Sequence, residues 1–466
     1  MRTTDPIHKS PLWSLIHDYY QDQGILAWSE DIPFQATNHS GMVAHAARCI
    51  QGFATPHPTV HWHELGAGHG LFAYRLAQHL TDDVFHGQVS DASSSNVAFW
   101  QHHPSWQQYP TISHLQQAFS PLIQPNGPTV YIANYLFDSL PFRAFSYDTQ
   151  WHEHQLELTL PYKHLQKNKQ HLNRIQCSYP KQPLTVSSLS PRWQRVFQHL
   201  PQSGRFSVPT PLIDWLDQLY LQANPVMILG SDKAFCQQAH QRYDAQFNCH
   251  WEGCFSSVIN LEWVKHYIEI NQLGHCWLIN HDHHHFNVQS FVILMHQSPN
   301  QALFRAIEQW QEQPSYFFMK DKDTLAFTQK LNWSECLYYL EKHHYDTWIY
   351  DWVYRSWHEQ LRHHDDALKL LNNIHQQCYA LPGQTTLLRL ADDYRSLQQM
   401  TLAKECLSTY QTINGCNFYY LRESGRWHHQ AGDHSLAQRL WQMAYDQGNL
   451  QTSFEDWAEL LIKDLT

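Results

Sequence analysis

The sequence predicts an α/β protein: a doubly wound parallel sheet beneath an N-terminal cap of helices, followed by an all-α domain of helical repeats. Three observations carry this prediction. Residues 60–80 read as a strand, a glycine turn and a helix; the strand ends at 88–91 and 129–134 each close on a polar residue, Asp91 and Asn134; and beyond about residue 300 the apolar period is helical and repeats every 34 residues. The implied domains are a cap over 1–55, a sheet domain over 56–300 with an insert at about 151–222, and helical repeats over 301–466.

In the cap, Leu12, Leu15, Ile16 and Tyr19 keep helical spacing, and so do Val43, Ala46, Ala47 and Ile50. Such a cap would close over a ligand on the sheet. The run Val60-His61-Trp62-His63-Glu64-Leu65 then enters Gly66-Ala67-Gly68-His69-Gly70, and Phe72, Leu76 and Leu80 sit four apart in the helix that follows. Glycines at alternate positions let the backbone turn sharply and approach a ligand, and a helix start offers unpaired N–H groups. A dinucleotide fingerprint wants G-x-G-x-x-G. Here the third glycine comes one residue early and Leu71 holds the expected slot, which disfavours a nicotinamide-dependent oxidoreductase. The carboxylate of Glu64 suits a cationic ligand better than a phosphate. Asp91 lies about 20 residues further on, the separation at which an acid meets ribose hydroxyls in such folds.

The E-x-G-x-G-x-G pattern of residues 64–70 resembles motif I of the class I S-adenosylmethionine-dependent methyltransferases. The resemblance implies a Rossmann-like class I methyltransferase sheet with S-adenosylmethionine as cofactor, held by Glu64, Gly66, Gly68 and Gly70, with Asp91 matching the family's second acid. The strand Thr129-Val130-Tyr131-Ile132-Ala133-Asn134 runs into Tyr135-Leu136-Phe137-Asp138-Ser139-Leu140-Pro141, which resembles the A-N-E-[FL]-F-D-A-L-P segment of the MidA-like methyltransferases. That family includes mitochondrial protein-arginine methyltransferases that assist respiratory complex I assembly. The match is closer to a bacterial group that joins such a domain to tetratricopeptide repeats. Residues 31–38, Asp31-Ile32-Pro33-Phe34-Gln35-Ala36-Thr37-Asn38, look like that group's entry loop, which implies a cofactor contact at Thr37. Residues 228–233 and 253–260 look like its next strand and loop. Tyr135 stands where MidA-like enzymes have a glutamate, so arginine methylation does not carry over, and Asn38-His39 replaces the group's Ser-Asn.

Methyl transfer needs nucleophile, methyl and sulfur aligned and water excluded. Two residues are the catalytic candidates: Asn134, whose side-chain oxygen would accept hydrogen bonds from an incoming amine, and Asp138, which would orient or deprotonate that amine or else cap the turn at Ser139-Leu140-Pro141. Tyr135 would stack on a substrate cation or pack beneath the cap.

Composition sets outer limits. The 466 residues are 42% hydrophobic and contain no run long enough to cross a membrane, and the N-terminus lacks a signal-peptide pattern, so a cytoplasmic protein is expected. Ten cysteines without C-x-x-C pairs fit reduced thiols. A formal charge of −11 argues against a general nucleic-acid binder. With 36 histidines, His281-Asp282-His283-His284-His285 and Cys249-His250 with Cys254 raise a metal site, but histidine is enriched throughout and the spacing fits no zinc pattern, so no metal is expected.

The insert contains a strand-like alternation at Leu156-Glu157-Leu158-Thr159-Leu160 and is either a substrate-selecting elaboration or a structural extension. Residues 276–279 and 288–294 suit the closing antiparallel hairpin of a class I methyltransferase sheet. In the repeats, Ala391 and Gly425, Tyr394 and His428, Ala403 and Ala437, and Leu407 and Trp441 are all 34 apart, the tetratricopeptide period. Residues 387–398 with 400–410 and 418–430 with 435–445 make two helix pairs, and Ala367 and Leu371 mark a degenerate third. Stacked pairs offer a surface for a peptide or partner protein; the plainer alternative is a helical tail that adds stability. The combined expectation is an S-adenosylmethionine-dependent methyltransferase acting on a protein side chain, its repeats recruiting substrate or partner. The alternative is a non-catalytic adaptor that keeps the fold and works through the repeats.

Overall fold

The computed structural model describes residues 2–27, 34–119, 127–159, 175–200, 204–235, 257–279, 288–312, 325, 330–448, 453–463 and 465. The chain forms two compact units, one of residues 1–102 and 108–317, the other of 103–107 and 318–466. The strands of the first unit are β1 (Arg2–Pro6), β2 (Val60–Leu65), β3 (Phe85–Asp91), β4 (Ser113–Gln116), β5 (Thr129–Asn134), β6 (Phe142–Tyr147), β7 (Trp151–Thr159), β8 (Gln176–Ser178), β9 (Lys181–Pro183), β10 (Gly204–Pro209), β11 (Val226–Phe235), β12 (Ile259–Asn260), β13 (His275–Ile279) and β14 (Val288–Met295). Its helices include α1 (Leu12–Gln23), α2 (Gln35–Asn38), α3 (Ser40–Ala54), α4 (Leu71–Ala77), α5 (Ser94–His102), α6 (Pro191–His199), α7 (Thr210–Leu221), α8 (Leu261–Ile270) and α9 (Gln301–Glu312).

The main sheet has the order β13-β14-β11-β5-β2-β3-β4. β4, β3, β2, β5 and β11 run parallel, while β14 is antiparallel to both of its neighbours, so β13 and β14 form the expected closing hairpin. Every residue of β5 and β14 is buried, as central strands covered on both faces require. From β2 the chain proceeds to β3 and β4 on one side, then returns to β5 on the other. The switch point thus lies at the carboxyl ends of β2 and β5, where open α/β sheets bind ligands.

A second, antiparallel sheet, β1-β7-β6-β10 with β8 and β9 also on β7, holds the insert. It corrects the reading of the first 55 residues as purely helical: Arg2–Pro6 is a strand, with Arg2 opposite Thr159 and Pro6 opposite Gln155. The physical reason is tertiary, since these residues carry no apolar alternation and become a strand by pairing with the edge of β7. Side chains alternate across this sheet. Phe142 and Ala144 pack with Leu12, Ile16, Leu156 and Leu158 on one face, and Phe145 packs with Trp193, Phe197 and Phe206 on the other.

The first unit extends past residue 300. Asn300 Nδ2 donates to Gly52 O at 2.8 Å, and the Trp310 ring stacks on His45 at 5.8 Å, so α9 packs against α3 rather than with the later helices.

The second unit contains α10 (Trp333–Lys342), α11 (Thr347–Gln360), α12 (Ala367–Gln376), α13 (Thr386–Ser396), α14 (Met400–Asn414), α15 (Phe418–Gln430), α16 (His434–Gly448) and α17 (Phe454–Lys463). Asn332 and Glu335 form a capping box on α10, and Asp346 and Asn417 cap α11 and α15 through their side chains. α13 packs with α14 and α15 with α16. Ala391, Ala403, Leu407, Ala437 and Trp441 are all buried between them. Within the same unit, His103 Nε2 donates to Ala380 O at 2.8 Å and its ring stacks on Tyr379 at 4.0 Å. Among the described residues, no helix is long and apolar enough to cross a membrane.

Candidate functional site

The carboxyl ends of β2, β3, β5 and β11 bring together most of the residues singled out in the sequence. Gly66, Gly68 and Gly70 all lie in the left-handed region, at φ 63°, 57° and 80°, which explains why glycine stands at each. A Cβ on Gly66 would also come to 3.0 Å from Leu136 Cδ1. Gly70 has no side chain with which to cap α4. Glu64 does so from the strand: its Oε2 accepts the N–H of Ala73 at 3.0 Å, in the first turn of the helix. Glu64 is buried, and burial raises its pKa to about 8, with Asp91 adding to the effect and the Ala73 N–H and Asn134 opposing it. Glu64 therefore keeps its proton at neutral pH, and a cation placed at the turn would favour its ionised form.

Asp91, at the end of β3, clamps the same turn. Its Oδ2 accepts the N–H of Gly68 and its Oδ1 that of Ser93, both at 2.8 Å. The Trp100 indole N–H reaches the Gly68 carbonyl at 3.1 Å. Burial raises the Asp91 pKa, while the N–H groups of Ser93 and Gly68 favour its charged form. The Asn96 side chain and the Ala92 N–H also favour the charged form, so a ligand hydroxyl at Asp91 would share a carboxylate of about four acceptor positions with the groups that hold the loop.

Thr37 is wholly buried in α2, its Oγ1 lying 3.2 Å from Phe34 O and 3.1 Å from Asn38 Oδ1. The entry segment is tied to α4 by Arg75, whose guanidinium donates to Asn38 O at 2.7 Å, and by the Phe34 ring against His69 at 4.4 Å. Burial lowers the His69 pKa to about 3, with Arg75 adding to the effect, so this ring is neutral. Asp31, Ile32 and Pro33 lie outside the described residues, as do the histidine run 281–285 and the group Cys249, His250 and Cys254.

The turn after β5 has a different anchor from the one its sequence offered. Asn134 Oδ1 accepts the Ser231 N–H from β11 at 3.0 Å, so the oxygen expected to meet an amine is engaged within the sheet. The Asn134 amide also favours the charged form of Glu64, without coming within hydrogen-bond distance of a partner. Tyr135 follows at φ 49°, a conformation uncommon for a bulky residue, with its N–H donated to Ser231 O at 2.9 Å. Strain of this kind gathers at functional sites.

Asp138 is only 5% exposed, and its carboxyl group makes no hydrogen bond among the described residues. It does not cap the turn. That work falls to Asp232, fully buried on β11: its Oδ2 accepts the Phe137 N–H at 2.7 Å, and its Oδ1 accepts those of Lys233 at 2.8 Å and Asp138 at 3.3 Å. Burial pushes the Asp232 pKa up to about 7 against these N–H groups. The Asp138 pKa is likewise raised well above its ordinary value, by burial and then by the charge of Asp232, with Lys233 opposing. Sequence reasoning missed Asp232, Arg75 and Trp100. The only signal for Asp232 was an acid at the end of an apolar strand.

No model of a known protein family matches the chain, and no curated protein is detectably similar to it in sequence. Among solved structures, it is similar to a methyltransferase candidate from Burkholderia thailandensis bound to S-adenosyl-homocysteine, with 12% identity and a TM-score of 0.42 over 63% of this chain and 90% of that one. An uncharacterised protein of the same superfamily from that organism is similar at 13% identity and a TM-score of 0.39, over 63% and 96% of the two chains. A class I S-adenosylmethionine-dependent methyltransferase candidate from Listeria monocytogenes is similar at 10% identity and a TM-score of 0.31, over 65% and 78%.

Proposed function

We propose that the chain is an S-adenosylmethionine-dependent methyltransferase of class I, related to the MidA-like group, that modifies a protein side chain. The observation that carries the reading is the glycine turn at the sheet's switch point. Three left-handed glycines leave its backbone bare, and two acids, Glu64 and Asp91, hold it from the strands on either side. The order of the sheet, with its closing antiparallel hairpin, supports the same reading.

The residues fit such a cofactor. Gly66, Gly68 and Gly70 leave room for a ligand against the backbone, Asp91 places a carboxyl group at the end of β3 where ribose hydroxyls would lie, and the buried Glu64 gains from a neighbouring cation. When bound, S-adenosylmethionine supplies an activated methyl group; the protein has to orient the acceptor and exclude water. In this reading the helical repeats of the second unit hold a protein or peptide substrate. The second reading, a non-catalytic adaptor, is favoured by one observation: the carboxyl groups of Glu64 and Asp91 and the side-chain oxygen of Asn134 all accept bonds within the fold.

Methyl-labelled S-adenosylmethionine incubated with the protein and a cell extract separates the two. Label entering a protein acceptor with the native chain, and not with Gly68→Arg, supports the enzyme. Absence of label in an extract that contains proteins captured by the repeats favours the adaptor.

A further inference from the structure

The β5 turn pairs two buried acids that differ in one respect. Asp232 is filled: three backbone N–H groups reach its two oxygens at 2.7–3.3 Å, and two of them come from the turn that carries Asp138. Asp138 is unfilled: it is 5% exposed, and no described residue donates to its carboxyl group. Backbone N–H groups stabilise a negative charge; a buried carboxyl group that receives none from the described residues holds one less cheaply beside another anion. The turn itself is pinned on both sides. Asp138 O accepts the N–H of Ser257 at 2.8 Å and its hydroxyl at 3.2 Å, and Tyr135 takes the strained φ that brings the next N–H groups round to Asp232.

We infer that Asp232 is the positioning residue of this site: its carboxylate fixes the turn from Leu136 to Asp138 and, by its negative charge, leaves Asp138 as an uncharged acid at the carboxyl end of the sheet. The pair then holds one proton, and Asp138 carries it. This rests on the proposed function only for its meaning in catalysis. An acid at Asp138 meets a methyl acceptor first as a hydrogen-bond donor. It becomes a partner for a cationic acceptor only by releasing its proton. Among the described residues, the charged groups acting on Asp138 are Asp232, which favours the acid, and Lys233, which opposes it.

The test is infrared difference spectroscopy of the whole chain, native minus Asp138→Asn, followed through pH. The native protein is expected to show the carbonyl stretch of a protonated carboxyl group at pH 8, assigned to Asp138 because the subtraction removes Glu64. In Asp232→Asn the same band should titrate away at a pH lower by about one unit or more, a tenfold change in proton concentration. A band with an unchanged midpoint in Asp232→Asn, or no band at pH 8 in the native protein, overturns the inference. Where Asp232→Asn does not fold, carbon NMR of aspartate-labelled native protein decides. One acid-form signal at pH 8 that is missing from Asp138→Asn supports the assignment, and none contradicts it. S-adenosylhomocysteine titrated into the same samples reports separately on the cofactor reading. Loss of that binding with the band intact removes the methyltransferase reading and leaves the proton assignment standing.

Discussion

Gly425→Ala is expected to destabilise the second unit, against the usual direction for a glycine inside a helix. Replacing glycine by alanine in a helix ordinarily stabilises by about 1 kcal/mol. Here, a Cβ on Gly425 would lie 2.3 Å from Nε1 and 2.4 Å from Cδ1 of Trp441, where ordinary contact begins at 3.4 Å. The indole cannot give way freely. It is fully buried, and its N–H donates to Arg422 O at 3.1 Å. Overpacking of a core costs about 1–3 kcal/mol, and a displaced indole that loses its buried hydrogen bond costs about 1–3 kcal/mol more. The net expectation is a loss of about 1–5 kcal/mol after the helix gain, which is a fall of about 2–20 °C in Tm for a unit of this size. Calorimetric melting of the whole chain reads it out. The preceding helix pair carries Ala391 and Leu407 at the positions of Gly425 and Trp441, so Trp441→Leu should restore the ordinary sign: in that background Gly425→Ala is neutral or stabilising. A Tm that rises with Gly425→Ala alone would refute the interlocked packing of α15 and α16.

Glu64→Gln should flatten the pH dependence of stability. Glu64 has a folded pKa of about 8 against an ordinary 4.5, so the folded protein holds this proton longer and its stability declines as pH rises through that interval; urea titrations across it should show the decline in the native chain and its loss in the variant. Glu64→Ala should instead cost about 1–3 kcal/mol at neutral pH, because it leaves the buried Ala73 N–H without an acceptor. The second unit has a basic group whose linkage has the same sign. His358 Nδ1 donates to Asp393 at 2.5 Å, and this bond, with Asp392 adding to it, raises the His358 pKa. Its contribution is complete below the ordinary 6.5 and falls as pH climbs through the raised value, so Asp393→Asn should remove a loss of stability on the alkaline side. Melts at about pH 6 and about pH 9 that move in parallel for both chains would contradict this.

Much of the first unit was legible because each clue was local. The glycine turn, the continuous apolar strand at 129–134 and the hairpin at 275–295 announce themselves within a few residues. β1 did not, since Arg2-Thr3-Thr4-Asp5-Pro6 is polar and owes its strand to β7, over 150 residues away. The site shows the same limit. Glu64 and Asp91 stood out as acids near a glycine turn, but their work as a helix cap and a loop clamp depends on which N–H groups the fold presents to them. Asn134 was placed correctly at a strand end, whereas the direction of its oxygen is set by Ser231 on a strand 97 residues later. Asp232 was hidden for that reason too, because nothing near it in sequence indicates that it closes the turn of Phe137 and Asp138. In the second unit the 34-residue spacing located the helices, while the collision distance between Gly425 and Trp441 emerges only from packing.

The central claim is that the turn of Gly66, Gly68 and Gly70 is built for S-adenosylmethionine. The most direct measurement is calorimetric titration of the whole chain with S-adenosylhomocysteine, repeated on Gly68→Arg, whose long side chain would have to adopt a left-handed backbone at φ 57° in the cradle itself. Saturable binding to the native chain that vanishes in a folded Gly68→Arg is the predicted result. No binding to the native chain, or equal binding to both, would contradict it.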